Sequence, residues 1–160
     1  MLPLSELSQK VGVLLAENNH VLVTAESCTG GGIAAAITDI SGSSAWFDRA
    51  FVTYSNEAKM DMIDVNPKTL NIYGAVSQET VEEMASGALR HSRGTVAISV
   101  SGIAGPTGGT AEKPVGTVWF GWKIGNSIEV QEMICFSGDR ASVRNQACCH
   151  ALAKLVDLLS

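Results

Sequence analysis

Charge is scarce in this chain. Asp, Glu, Lys and Arg make up 17% of the 160 residues, the net charge is −5, and no basic stripe interrupts the sequence. Without such a stripe there is little electrostatic attraction to a phosphate backbone, which argues against nucleic acid as a partner. An anionic ligand would have to be held locally, by backbone N–H groups, a helix N-terminus or one or two arginines. No apolar run approaches the ~20 residues of a membrane span, and the start Met1-Leu2-Pro3-Leu4-Ser5-Glu6 has no basic segment leading into an apolar one. Neither an anchor nor a signal peptide is read, so the expected compartment is the cytoplasm. The cysteines, Cys28, Cys135, Cys148 and Cys149, form no C-x-x-C pair and read as reduced thiols. H-x-x-x-H, a tight carboxylate cluster and the G-K-[ST] of a Walker A loop are all missing, so neither a metal nor another cofactor is expected.

What is present is one well-filled core: 46% of residues are hydrophobic, and no repeat or low-complexity linker divides the chain. Residues 1–160 are therefore read as a single domain. Leu7, Val11, Leu14 and Leu15 share a helical face between Ser5 and Ala16. His20–Ala25, Ala50–Tyr54 and Thr95–Ser101 read as strands, the last apolar enough for the centre of a sheet. Helices are expected at Ile33–Ile37, Asn56–Ile63, Pro67–Ile72, Ser77–Leu89 and Asp139–Leu159. The strands Gly116–Lys123 and Ile128–Phe136 should form a hairpin around Gly125-Asn126-Ser127. The order α-β-α-β-α-α-α-β-β-β-α predicts an α/β fold, a three-layer α/β/α sandwich around a mixed, mostly parallel sheet.

Four segments could carry chemistry. Glu26-Ser27-Cys28-Thr29-Gly30-Gly31-Gly32 joins a strand to a helix, where α/β proteins commonly bind ligands. Its amides at Cys28, Thr29 and Gly30 would be free for an oxyanion or phosphate, although Ser27 or Thr29 could simply cap the helix. His20, His91 and His150 are all poorly placed to serve as base for Ser27. Lys59 follows the end of the second strand, and burial could lower its pKa enough to make it a base; a solvated surface lysine is the competing reading. Gly102–Gly105 and Gly108-Gly109 lie in a long loop that could make an anion-binding concavity or a plain flexible connection. Asp139 should cap the last helix, and Arg140 and Arg144, four apart, could meet a phosphate together or form surface ion pairs. Trp46 and Phe47 read as core filling.

These segments carry a resemblance that spans essentially the whole chain. Thr24–Gly31 (TAESCTGG), Phe51–Lys59 (FVTYSNEAK), Ser101–Pro106 (SGIAGP), Lys113–Val118 (KPVGTV) and Phe136–Arg140 (FSGDR) resemble, in order, the nicotinamide-nucleotide amidohydrolase family, the family of the CinA C-terminal domain. The resemblance implies a stand-alone form that deamidates nicotinamide mononucleotide, within pyridine-nucleotide recycling, by a Ser-Lys mechanism without metal or cofactor. It makes Ser27 the nucleophile, Lys59 its base and Tyr54 a helper. The binding candidates are Cys28, Thr29, Gly30, Gly31, Ser43, Ser44, Gly102, Gly105 and Arg140. Two other readings stay open: a Cys28 thiol amidase, its pKa lowered at the helix N-terminus, and a non-catalytic nucleotide-binding module. The half-apolar final helix serves either the core or the interface of a homo-oligomer such as a dimer.

Overall fold

The computed structural model describes residues 2–160. Five strands, β1 (Leu22–Glu26), β2 (Phe47–Val52), β3 (Val96–Gly102), β4 (Thr117–Ile124) and β5 (Ile128–Cys135), form one sheet in the order β2-β1-β3-β4-β5. β1 pairs in parallel with β2 and β3, whereas β3–β4 and β4–β5 are antiparallel, so the sheet is mixed but evenly divided and not mostly parallel, because β4 and β5 return as a hairpin. β3 holds the central position that its apolar sequence predicts.

Strand alternation sorts side chains into two unlike faces. One face carries bulk: Leu22, Val96, Ile98, Val100, Val118, Phe120, Trp122 and Ile124 pack against α1 (Leu4–Glu17), α2 (Gly32–Thr38) and α6 (Arg140–Leu159). On this side the Trp122 indole N–H, fully buried, donates to Ala151 O at 3.0 Å. The other face has small residues at its centre, Ala25, Ala97, Ser99 and Gly121, with Val23, Phe51 and Trp119 around them, and lies under α5 (Gln78–Arg90), with α3 (Asn56–Ile63) and α4 (Pro67–Tyr73) beside it. A Cβ on Gly121 would sit 2.4 Å from Ser99 Oγ and 2.9 Å from Val81 O, so a glycine is required for α5 to approach this closely. Ser99 in turn donates to Val81 O at 2.6 Å, tying helix to sheet. The three layers are therefore α1/α2/α6, the sheet, and α3/α4/α5.

Helix starts follow local chemistry. Ser55, Asn66, Ser77 and Asp139 each accept a hydrogen bond from an amide in the first turn of the helix they precede. β2 begins at Phe47, earlier than the sequence suggests, and slips register with β1 between Leu22 and Val23. Phe47 and Trp46 are half-buried against the larger core cluster, as core filling predicts. Among the described residues no helix is long and apolar enough to cross a membrane.

Candidate active site

β1, β2 and β3 end together, and the loops that leave them enclose a cleft of about 260 Å³. Alternation along β1 decides what enters it. Leu22, Thr24 and Glu26 face α2, while Val23 and Ala25 face the opposite layer. Ser27, one residue further, continues the second set and meets α3. Its amide still pairs with Val100 O at 3.0 Å, so the sheet fixes the backbone that carries the hydroxyl.

Lys59 comes from the first turns of α3 and is 1% exposed. Its Nζ lies 3.1 Å from Ser27 Oγ, 2.9 Å from Thr53 O and 3.3 Å from Tyr54 O. No carboxylate is paired with it among the described residues. Burial without a counter-charge disfavours the ammonium and lowers the pKa from 10.5 to about 8, against a smaller opposing effect of the Cys28 sulfur. Protonated, the amine donates to all three oxygens; neutral, it keeps two N–H groups for the carbonyls and turns its lone pair to the hydroxyl. Ser27 Oγ is also 3.3 Å from Tyr54 O.

The Tyr54 phenol points elsewhere. It is 63% exposed as a residue, and its hydroxyl accepts from Arg140 Nη2 at 3.4 Å. Arg140 Nη1 donates to Gly105 O at 2.9 Å, so one guanidinium ties the Ile103–Gly116 loop to the tyrosine at the cleft rim. Gly102 and Cys28 also line the cleft.

The turn after Ser27 is built differently from the sequence expectation. Gly30 N–H donates to Ser27 O at 3.0 Å, and Thr29 Oγ1 donates to Glu26 Oε1 at 2.7 Å. The first amides of α2, at Ile33 and Ala34, bind the two oxygens of the Glu26 carboxylate at 2.9 and 3.0 Å. The helix N-terminus that was to hold an anion is thus filled by the protein's own. Arg144 is committed as well, donating to Cys28 O at 2.9 Å and Thr29 O at 3.3 Å, so it does not join Arg140 in the cleft. Thr29, Gly30 and Gly31 shape the turn and are not part of the cleft lining. Gly30 and Gly31 adopt φ of +58° and +93°, which other residues rarely do.

Two further expectations are corrected. Ser43 and Ser44 lie in a 3-10 turn that enters β2 and so stand at the N-terminal ends of the parallel strands β1 and β2. Ser27 is at the opposite ends, about 15 Å of strand away. Cys28, expected to be acidified at the helix N-terminus, is pushed up to about 11 by burial, which outweighs the nearby Arg144 charge. The residue is 6% exposed, and the helix end behind it is already occupied by Glu26. Asn56, Ala75, Val76, Ser101 and Ala104, which no sequence signal marks individually, complete the cleft. Asn56 and Ser101 sit inside motifs already read for other residues, whereas Ala75 and Val76, between α4 and α5, carry no chemical signature. Among the described residues no three His, Cys, Asp or Glu side chains gather as metal ligands.

Similarity to known proteins spans this architecture and its cleft. The nicotinamide-nucleotide amidohydrolase PncC of Escherichia coli K12 is 55% identical over 152 residues, covering 95% of this chain and 92% of that protein. A CinA-like protein of Akkermansia muciniphila is 47% identical over 153 residues, 96% of this chain but only 37% of that longer protein. The crystal structure of the competence/damage inducible protein CihA from Agrobacterium tumefaciens superposes with a TM-score of 0.96 at 43% identity, covering 100% of this chain and 99% of that one. Residues 4–159, from the first turn of α1 to the last of α6, match the CinA C-terminal domain, and the chain belongs to that family.

Proposed function

We propose that this chain hydrolyses the carboxamide of nicotinamide mononucleotide to nicotinate mononucleotide and ammonia, through an acyl-enzyme on Ser27. The observation that carries the reading is the 3.1 Å contact between Ser27 Oγ and the buried, uncompensated Lys59 Nζ. The substrate is supported by the name of the E. coli relative, a nicotinamide-nucleotide amidohydrolase that matches nearly end to end. A small-molecule nucleotide fits a cleft of about 260 Å³ with an arginine at its rim.

Each step follows from the groups in place. With a pKa of about 8, roughly a tenth of the Lys59 side chains are neutral at pH 7. Thr53 O and Tyr54 O hold the two N–H groups, so the lone pair takes the Ser27 proton as Oγ attacks the carboxamide carbon. The carbonyl electron pair moves onto oxygen. The amide of Cys28, which lines the cleft and donates to no main-chain carbonyl, is the donor we assign to that oxyanion. As the intermediate collapses, the C–N bond breaks, the amine takes the proton from Lys59, and ammonia leaves. Neutral Lys59 then draws a proton from water, hydroxide oxygen attacks the ester, and nicotinate mononucleotide departs as Ser27 regains its proton. Arg140, with the Tyr54 hydroxyl beside it, supplies positive charge for the phosphate.

Ammonia release from nicotinamide mononucleotide by wild type, Ser27→Ala and Lys59→Ala, in buffer with EDTA, tests the reading. Wild type releases ammonia and each variant loses at least about 10³-fold in kcat, while still binding the nucleotide. Equal release from Ser27→Ala would remove the proposed nucleophile. Binding without release by wild type would leave a nucleotide-binding module.

A further inference from the structure

Glu26 has 0% exposure, yet carries a carboxylate that meets four donors and no cation at hydrogen-bond distance. Thr24 Oγ1 donates to Oε2 at 3.0 Å and Thr29 Oγ1 to Oε1 at 2.7 Å. The amides of Ile33 and Ala34 donate to Oε1 and Oε2, respectively. A carboxylate offers about four lone-pair directions, and here each is used. The donors come from both sides of the nucleophile: one from β1 before it, one from the turn after it, two from α2 beyond.

The reason the cap lies so far back in the chain is local. The N-cap position of α2 is Gly31, which has no side chain and a φ of +93° unfavourable to Ser, Thr or Asp. The helix therefore cannot be capped by its own flanking residue. The group that caps it is on Glu26, covalently next to Ser27. The main chain of Glu26 is held too, its carbonyl accepting from Thr53 N at 2.9 Å. Sheet bonds thus fix how the chain enters Ser27, and the carboxylate fixes how it leaves.

We propose that Glu26 is the positioning residue of the nucleophile, clamping the Ser27 turn between β1 and α2 so that the hydroxyl stays aimed at Lys59. The inference rests on the Ser27–Lys59 reading given above. An N-terminal cap that only stabilised α2 would act on the helix; this one also fixes the Ser27–Gly31 turn, so its loss changes the orientation of Oγ.

The test is Glu26→Gln, which replaces one acceptor oxygen by an NH₂ facing a donor, together with Thr29→Val and Thr29→Ser. Three quantities are measured for each folded protein: kcat and KM for nicotinamide mononucleotide, the rate of covalent labelling of Ser27 by a small fluorophosphonate, and Tm. Glu26→Gln should lower kcat about 100-fold, with KM within about twofold of wild type, because misplacement of a reacting atom acts on the chemical step. Labelling should slow by a similar factor, while the pH midpoint of kcat/KM stays at its wild-type value. Thr29→Val should show a smaller loss of the same kind and Thr29→Ser should restore it. Wild-type kcat and labelling in folded Glu26→Gln, or a lowered Tm with labelling unchanged, would overturn the proposal. If Glu26→Gln does not fold, the Thr29 pair decides, and equal kcat and labelling in both Thr29 variants overturns it. Should wild type be labelled at Ser27 yet release no ammonia, the substrate reading fails, and the labelling rates alone still judge Glu26.

Discussion

On the face of the sheet covered by α2, the carboxylate of Glu26 is surrounded by four donors, two of them the first amides of a helix. On the face covered by α3, the amine of Lys59 meets two carbonyls and a hydroxyl, and no opposite charge. Both groups are buried, and Ser27 lies between them in the chain and in space. Hydrogen bonds to a charged group contribute about 1.5–3 kcal/mol each, so the environment of Glu26 offsets much of the cost of burying an anion. Around Lys59 the compensation is smaller, three neutral acceptors of which Tyr54 O also faces the Ser27 hydroxyl, and the remaining cost falls on the protonated form. The same burial thus yields a fixed strut on one side and a reactive base on the other. The difference lies in the number and sign of the partners.

The largest expected effect comes from breaking the Lys59 side. Lys59→Met keeps a long apolar stem but removes the base, and kcat should fall by at least about 10³-fold. Stability should move the other way. The drop from 10.5 to about 8 corresponds to roughly 3 kcal/mol against the charged form at pH 7. Thr53 O loses its donor in the variant, while Tyr54 O keeps the Ser27 hydroxyl, which returns about 1–3 kcal/mol of that gain. The net expectation is a Tm a few degrees above wild type at pH 7, measured by calorimetry. A Tm well below wild type would mean that Lys59 is compensated in the folded state after all.

Titration sharpens the same contrast with a smaller effect. A base with a pKa of about 8 makes kcat/KM rise about tenfold per pH unit below that value and level off above it. Stability follows a different window. Below about pH 8 the folded and unfolded chains both bind the lysine proton; between about 8 and 10.5 the unfolded chain binds more. Stability relative to Lys59→Met therefore climbs with pH through that interval and stops changing above it. Cys28, pushed up to about 11, adds no limb to the rate profile near neutrality. A kcat/KM profile flat from pH 6 to 9 would remove Lys59 as the titrating base.

Much of the site was legible because it is local. A strand running into Ser27, a glycine-rich turn and a helix are contiguous, and Lys59 follows the end of the neighbouring strand within one motif. Parallel pairing then brings those two ends together. What was not legible depends on the third dimension or on distant capping. Ser43 and Ser44 share the polarity of a binding loop, but only the direction of β2 places them at the far end of the sheet. Glu26 caps a helix through amides seven and eight residues ahead, a spacing that no capping pattern encodes. The acidification of Cys28 expected from a helix N-terminus fails because burial of the thiol raises its pKa, with the Glu26 carboxylate that fills that terminus adding a smaller effect of the same sign. The start of β2 at Phe47 escaped because Phe47-Asp48-Arg49 is too polar to read as a strand on its own and is held by pairing to β1.

Thr53 links the two sides and allows the finest test. Its amide donates to Glu26 O and its carbonyl accepts from Lys59 Nζ, so its main chain serves both. Its side chain serves neither: Oγ1 is buried and has no partner among the described residues. A buried hydroxyl that makes no hydrogen bond costs about 1–3 kcal/mol of desolvation. Thr53→Val exchanges the hydroxyl for a methyl group of nearly the same shape and leaves both main-chain bonds possible. Stability should rise by about 1 kcal/mol, or a few degrees in Tm. Thr53→Ala should gain less, since it opens a void where the methyl had packed. A fall in Tm for Thr53→Val would show instead that the hydroxyl is satisfied in solution, and that the Lys59 side of the sheet is wetter than its burial suggests.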